Sequence, residues 1–389
     1  MAFDAVIAGG GIIGCCAAQA LCDIGCRVMI VEARENLLTA TSAAGFGSLT
    51  PFSDPFFDGD IAEFANQSVR LYRNNIVPEF ARHSRLDFVD EGLLQLFASM
   101  DDLEESRSAA KGCAGALRGP NPLSRMEVLA LEPALRGDFA GALLYDEPWI
   151  DLEQLLQSVK DRLARNPKCT IKLKTRVDSV DTDASAVCLD TGERVAAGEI
   201  VLATGLGETA VLGFPRPEME WIRGEGLRVR LPADSPHLLR HVYHGKGFVT
   251  PRMDGTCLLG STYVLEEPRS IGETDRAKES IRATTEADVT EACAAFLPQV
   301  RRSEVLRRWS GWRPRSRDHF PILGRLVEGE GPILALGFLG LGVTMAPRVG
   351  QVVAEMVATG TTAAIPSRML AARFNQIDTR PPGSGVKPV

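Results

Sequence analysis

Residues 3 to 8 (FDAVIA) form a short apolar run of strand type, interrupted by GGGIIG and followed by CCAAQALCDIG, whose apolar positions recur at helical spacing. CRVMIVEA then supplies a second apolar run ending in Glu32. The order predicts strand, glycine turn, helix, strand, which is one βαβ unit. Further along, the spacing predicts a helix near 60 to 84, a polar stretch near 98 to 125, and a helix over 152 to 165. In that last segment Leu152, Leu155, Leu156, Val159 and Leu163 share one face, and Asp151 with Gln154 has the spacing of a capping box. From 170 to 203 the period shortens to that of strands (TIKLKTRVDSVDTD, AVCLDTGE, EIVLATG). The segment 220 to 265 is again strand-rich, 273 to 297 reads as an amphipathic helix, and 332 to 358 reads as strand, glycine loop, helix. Nucleotide-type elements thus recur at both ends and in the middle of an α/β chain. The expected organisation is a discontinuous nucleotide domain over 1–80, 147–211 and 306–380, interrupted by an α+β substrate domain over 81–146 and 212–305 with a mixed or antiparallel sheet. Residues 381–389 are expected to be a flexible tail.

Length changes this picture little: 389 residues suffice for two or three domains with a sizeable core. Charge narrows it. Lys plus Arg is 43 against 50 Asp plus Glu, and the net charge of -7 disfavours a polyanionic partner such as nucleic acid. The nine cysteines include no CxxC pair and none at zinc spacing from a histidine, which points to free thiols and a cytoplasmic location. The apolar start carries Asp4 and no basic leader, so it does not read as a signal peptide. The uncharged run Gly331 to Pro347 is too short and too broken for a bilayer span, which needs about 20 apolar residues.

Gly9, Gly11 and Gly14 match G-x-G-x-x-G in the one context that gives the motif meaning, after a strand and before a helix. Gly9 allows the tight turn, Gly11 the approach of a pyrophosphate and Gly14 the packing of helix on strand. Ile12 and Ile13 open the helix whose free N–H groups would meet the phosphates, and Glu32 would accept from ribose hydroxyls. A Rossmann-like dinucleotide site follows. The fingerprint serves NAD and FAD alike. Two later features favour a flavin: the small-residue strand end at Ala203, Thr204 and Gly205, and the glycine loop entering a helix in GPILALGFLGLGVTMAPRVGQVVAEM. A helix N-terminus there could support an anionic reduced isoalloxazine.

These segments carry a likeness. VIAGGGIIG, TSAAGFGSLTP, YHGKGFVTPRMDG with GST, WSGWRP and GFLGLGVTMAP occur in the order and spacing of the D-amino-acid oxidase superfamily of FAD-dependent amine oxidases. The chain resembles that superfamily over essentially its whole length, and its glycine oxidases above all. The resemblance implies FAD held by Gly9, Gly11, Gly14, Glu32 and Ala33, then by Thr41, Ser42, Phe46, Gly47 and Ser48. It implies contact of the Val177 backbone with adenine, and closure over the flavin by Phe338, Leu339, Gly340, Leu341, Gly342, Val343 and Thr344. It also implies Arg313 as the anchor of a substrate carboxylate, a role that suits a bidentate guanidinium fork. This chain departs from glycine oxidases at Phe248, where they have a tyrosine, and at Gly340, where they have an arginine. Lys246 and Tyr263 are the candidate replacements, with Tyr263 expected to face the pocket. The flavin-linking cysteine of sarcosine oxidases falls at Gly311, which implies noncovalent FAD.

The activity so implied is oxidation of the C–N bond of a small amine or amino acid. Hydride passes from Cα–H to flavin N5, the imine hydrolyses, and oxygen is reduced to peroxide. No residue is assigned a catalytic acid–base role. Two alternatives stand beside it: a dehydrogenase subunit that passes electrons to a partner protein, and a noncatalytic flavin-binding assembly protein. A homo-oligomer is expected.

Overall fold

The computed structural model describes residues 3–53, 59–111, 120–182, 185–205, 210–211, 217–266, 281–327 and 329–374. The expected tail lies outside them. Phe3–Ala8 pairs in parallel with Val28–Val31 on one side and with Arg194–Leu202 on the other. Cys169–Lys172 extends the parallel set beyond Val28–Val31, and Ile333–Leu336 extends it beyond Arg194–Leu202. Burial on both faces explains why these strands read as continuous apolar runs: Ala5, Val6, Ile7, Val28 and Ile30 are all fully buried. The antiparallel meander expected after residue 170 is Val177–Asp181, Ala186–Leu189 and the first half of Arg194–Leu202.

The fingerprint helix Ile12–Asp23 packs between this sheet and the C-terminal helix Gly342–Thr359, in a core that also takes in Leu155, Val159 and Leu163 of the helix Leu152–Arg165. A second sheet, mostly antiparallel, has its own core around Leu94, Val242, Val249, Leu259 and Phe296. Its longest pairing joins Met219–Arg230 to Glu304–Ser316, with Ile222 opposite Arg313 and Gly224 opposite Gly311.

Several elements differ from expectation. The polar stretch near 98 to 125 contains a helix, Met100–Lys111, and a short edge strand, Asn121–Ser124. The helix near 60 to 84 is Gly59–Leu71, a π turn Tyr72–Ile76 and a last turn Val77–Phe80. Of the segment 273 to 297, the described part is helical over Thr285–Ala294. Asp151 does cap Gln154 N–H at 3.0 Å. The reciprocal half of the box is missing, because the Gln154 amide exchanges hydrogen bonds with Asp87. Among the described residues no helix is long and apolar enough to cross a membrane.

Candidate functional site

Gly9 follows Phe3–Ala8, Glu32 follows Val28–Val31, Ala203 follows Arg194–Leu202 and Gly337 follows Ile333–Leu336. The four positions therefore lie at the carboxyl ends of parallel strands, on both sides of the point where strand order reverses, which is where open α/β sheets bind ligands. All four line one cavity, concave and largely apolar as ligand sites usually are.

The turn is built for close approach. Gly9 has φ +108, and a Cβ on it would lie 2.4 Å from the Ala203 carbonyl oxygen; a Cβ on Gly14 would lie 2.0 Å from the Gly9 carbonyl oxygen. A side chain at Gly14 would push the helix off the strand end, and one at Gly9 would push the turn away from the end of Arg194–Leu202. The helix then starts at Ile12, whose N–H donates to Ser42 Oγ at 2.9 Å. Glu32 is buried; its Oε2 accepts Gly10 N–H at 2.7 Å and its Oε1 accepts Arg34 N–H at 2.9 Å. Each carboxylate oxygen keeps a lone pair for a further donor. Thr41 Oγ1 donates to the Trp312 carbonyl at 2.8 Å, tying this wall to the second sheet.

Trp309, Gly311 and Arg313 alternate along Glu304–Ser316, so they share one face, and all three line the cavity. Arg313 Nη1 donates to the Thr262 carbonyl at 3.3 Å and Nη2 to Ser261 Oγ at 3.1 Å. Gly224 lies diagonally across the strand pair from Arg313, and a Cβ there would meet the guanidinium at 2.4–2.5 Å. Among the described residues, the acidic ones lining the cavity are Glu32 and Glu225. Glu225 is saturated. It accepts from Arg282 N and Nε, both at 3.0 Å, and from the Thr285 hydroxyl, and pairs with Arg223 at 3.1 Å. Burial pushes its carboxyl up, but the Thr285 and Arg282 hydrogen bonds outweigh it and hold the group below the usual range.

Gly9, Gly11, Ile12, Ile13, Glu32, Thr41, Ser42, Phe46, Ala203, Gly205, Phe338, Leu339, Gly340, Gly342, Val343 and Arg313 are brought together around this one cavity. The remaining expected residues are not among its lining. Gly14, Leu341 and Thr344 lie behind it in the packing. Val177 is buried in the meander, and Ala33 is exposed. The Gly47 carbonyl accepts Ile150 N–H, and the Ser48 hydroxyl bonds Thr250. Phe248 packs edge-on against Phe46, with ring centroids 5.8 Å apart, and so stands one layer back. Tyr263, expected in the pocket, is instead 48% exposed, and its hydroxyl accepts from Arg315 at 2.8 Å. Lys246 is exposed in the turn between His241–His244 and Gly247–Pro251. Arg34, Gly224, Trp309 and Trp312 line it without having been singled out. The adjacency of the two tryptophans to Arg313 in WSGWRP was the available signal for them.

A family model for FAD dependent oxidoreductases (DAO) matches residues 4–356. The chain belongs to this family. FAD is accordingly its cofactor and redox chemistry its activity. Among its DAO-family relatives, the glycine oxidase of Bacillus licheniformis is 28% identical over 362 residues, which cover 91% of this chain and 93% of that protein. The glycine oxidase of Bacillus subtilis (strain 168) is 27% identical over 381 residues, covering 91% and 93%. The crystal structure of glycine oxidase from Geobacillus kaustophilus superposes with a TM-score of 0.82 at 24% identity, covering 95% of this chain and 98% of that one. L-proline dehydrogenase from P. horikoshii gives a TM-score of 0.82 at 18% identity, covering 96% and 98%. At those identities the two structures speak to the DAO-family fold.

Proposed function

We propose that this DAO-family chain oxidises the C–N bond of a small amine or amino acid that carries a carboxylate, with oxygen as the final acceptor. The observation that carries the reading is Arg313: a guanidinium braced by Thr262 and Ser261, facing a cavity whose walls include Phe46, Trp309, Leu339 and Val343. The likeness to glycine oxidases supports the C–N bond as the target.

The residues present fit FAD. A buried carboxylate at Glu32 suits ribose hydroxyls, and the bare turn at Gly9 and Gly11 with its helix start suits a pyrophosphate. The start of Gly342–Thr359 borders the cavity at Gly342 and Val343, where free N–H groups and the helix dipole suit an electron-rich ring. When bound, FAD supplies the acceptor for the hydride that leaves the substrate Cα. The chain itself positions the substrate. Arg313 grips a carboxylate by two parallel hydrogen bonds, and its two braces restrict the swing of the fork. With Glu225 saturated, the lining offers no spare base beside Arg313 among the described residues, so the substrate amine enters neutral and its lone pair drives hydride departure. The imine then hydrolyses in water.

An anaerobic panel of amino acids and N-alkyl glycines tests this. The expected result is bleaching of the flavin by at least one carboxylate-bearing amine, with colour and peroxide returning on admission of air. A flavin that stays oxidised across the panel overturns the proposed reaction. Bleaching that air does not reverse rejects oxygen as the acceptor and favours an electron-accepting partner.

A further inference from the structure

Pro347 lies inside the helix Gly342–Thr359. A proline has no N–H, so the carbonyl four residues earlier loses its helical partner. That carbonyl belongs to Val343, which lines the cavity. It is satisfied from outside the helix: the Tyr72 hydroxyl donates to it at 2.8 Å. Tyr72 is 1% exposed and opens the π turn Tyr72–Ile76, an irregularity that often accompanies functional sites. Burial pushes its phenol well above the ordinary range, which keeps it an O–H donor. Ser68, four residues earlier and on the same helical face, accepts Arg348 N–H at 3.1 Å, the residue just after the proline. Two hydroxyls of one helix thus bracket the break in the other. In the same first turn the Thr344 hydroxyl is buried with no partner among the described residues.

We infer that Tyr72 is a positioning residue for the cofactor: its hydroxyl replaces the N–H that Pro347 cannot supply and keeps the first turn of Gly342–Thr359 wound against the cleft. Removing the hydroxyl leaves the Val343 carbonyl a buried acceptor without a donor. The ready relief is to unwind that turn, which withdraws Gly342 and Val343 from the cavity wall. The inference rests on the reading that this helix start faces FAD. Failure of that reading leaves wild-type flavin retention insensitive to any change in the turn, Gly342→Pro included. Failure of the inference leaves retention insensitive to Tyr72 alone.

The test is release of FAD from the holoprotein, followed by flavin fluorescence, in a four-variant cycle. Tyr72→Phe is expected to release FAD about tenfold faster than wild type. Pro347→Ala returns a backbone donor to Val343, so adding Tyr72→Phe in that background is expected to change release less than twofold. Slow hydrogen exchange at Met345, whose N–H donates to the Leu341 carbonyl at 2.8 Å, should be lost in Tyr72→Phe and regained in the double variant. Release at the wild-type rate in Tyr72→Phe overturns the inference, as does an equal acceleration in both backgrounds, since a merely structural phenol would not be rescued by a donor at position 347. If Tyr72→Phe alone does not accumulate, recovery of flavinated protein in the double variant supports the inference and its continued absence overturns it.

Discussion

Gly224→Ala is the most informative perturbation of the proposed substrate anchor, because it acts on Arg313 without touching it. The new Cβ would lie 2.4 Å from Nη2 and 2.5 Å from Cζ and Nη1 of Arg313. Ordinary contact between such atoms is roughly 3.5–4.0 Å, so the guanidinium must move by about 1 Å or more. The obstacle is the free end of a flexible side chain, so the strand pair need not open. Alanine in place of a strand glycine even favours folding by roughly 0.5–1 kcal/mol. The cost falls on geometry. Displacement strains the hydrogen bonds to Thr262 and Ser261, at 3.3 and 3.1 Å, and moves the fork off its axis. A misplacement of about 1 Å can cost 10²-fold, or ~2.7 kcal/mol of transition-state stabilisation. The assay is kcat/KM for a carboxylate-bearing substrate, read beside flavin content and Tm. The expected outcome is a drop of about 100-fold in Gly224→Ala with full flavin and undiminished Tm. Unchanged kinetics in Gly224→Ala, or a loss of flavin in its place, refutes the reasoning.

Acid precipitation should leave a yellow supernatant, because no cysteine follows Cys293 and Gly311 stands where a covalent link is found in sarcosine oxidases; a yellow pellet refutes noncovalent FAD. Glu32→Ala removes the acceptor of Gly10 and Arg34 N–H and is expected to weaken FAD binding at least tenfold, measured by titration of apoprotein. Arg313→Leu should raise KM for carboxylate substrates with flavin content unchanged, and an unchanged KM removes Arg313 from the substrate site. Burial holds the His241 imidazole down at about 4, with one ring nitrogen bonded to the Glu147 carbonyl at 2.7 Å. The unfolded chain, with a pKa of about 6.5, takes up that proton first as pH falls. This contribution to stability is therefore complete above about pH 7.5 and erodes from about pH 6.5 to pH 4, by ~2 kcal/mol at pH 5. Urea midpoints at pH 7.5 and 5 check it, and the difference should shrink in His241→Gln; an undiminished slope assigns it elsewhere.

The parts legible from sequence are those whose signal is confined to one run of residues. The strand, turn and helix at 3 to 23 announce themselves because the hydrophobic period changes at the glycines, and the same holds for the strand and helix flanking the loop at 337 to 342. Asn121–Ser124 escaped notice because NPLS has neither alternation nor β-branched residues; it is a strand through pairing with Gly141–Tyr145. Asp151 was identifiable as a cap from its own position. That Gln154 would turn to Asp87 depended on a loop far away in the chain.

The candidate site divides along the same line. Glu32 and the glycines carry their meaning within one βαβ unit, and Arg313 within WSGWRP. Tyr263 and Lys246 do not, because a side chain near a strand end faces the pocket or solvent according to register, which pairing settles and composition does not. Gly224 is the converse case. Nothing in RGEG marks it, and its importance arises only when antiparallel register sets it diagonally beside Arg313. Pro347 and Tyr72 go one step further, since each is conspicuous alone, a proline inside a helix and a fully buried phenol, yet neither explains itself. Each supplies what the other lacks, a missing donor on one helix and an unpaired hydroxyl on the next. A break in a helix bordering a cofactor cleft is thus made tolerable by a residue whose sequence neighbourhood has no connection to the cofactor motifs, and perturbing that residue is the way to learn whether the break serves the cleft.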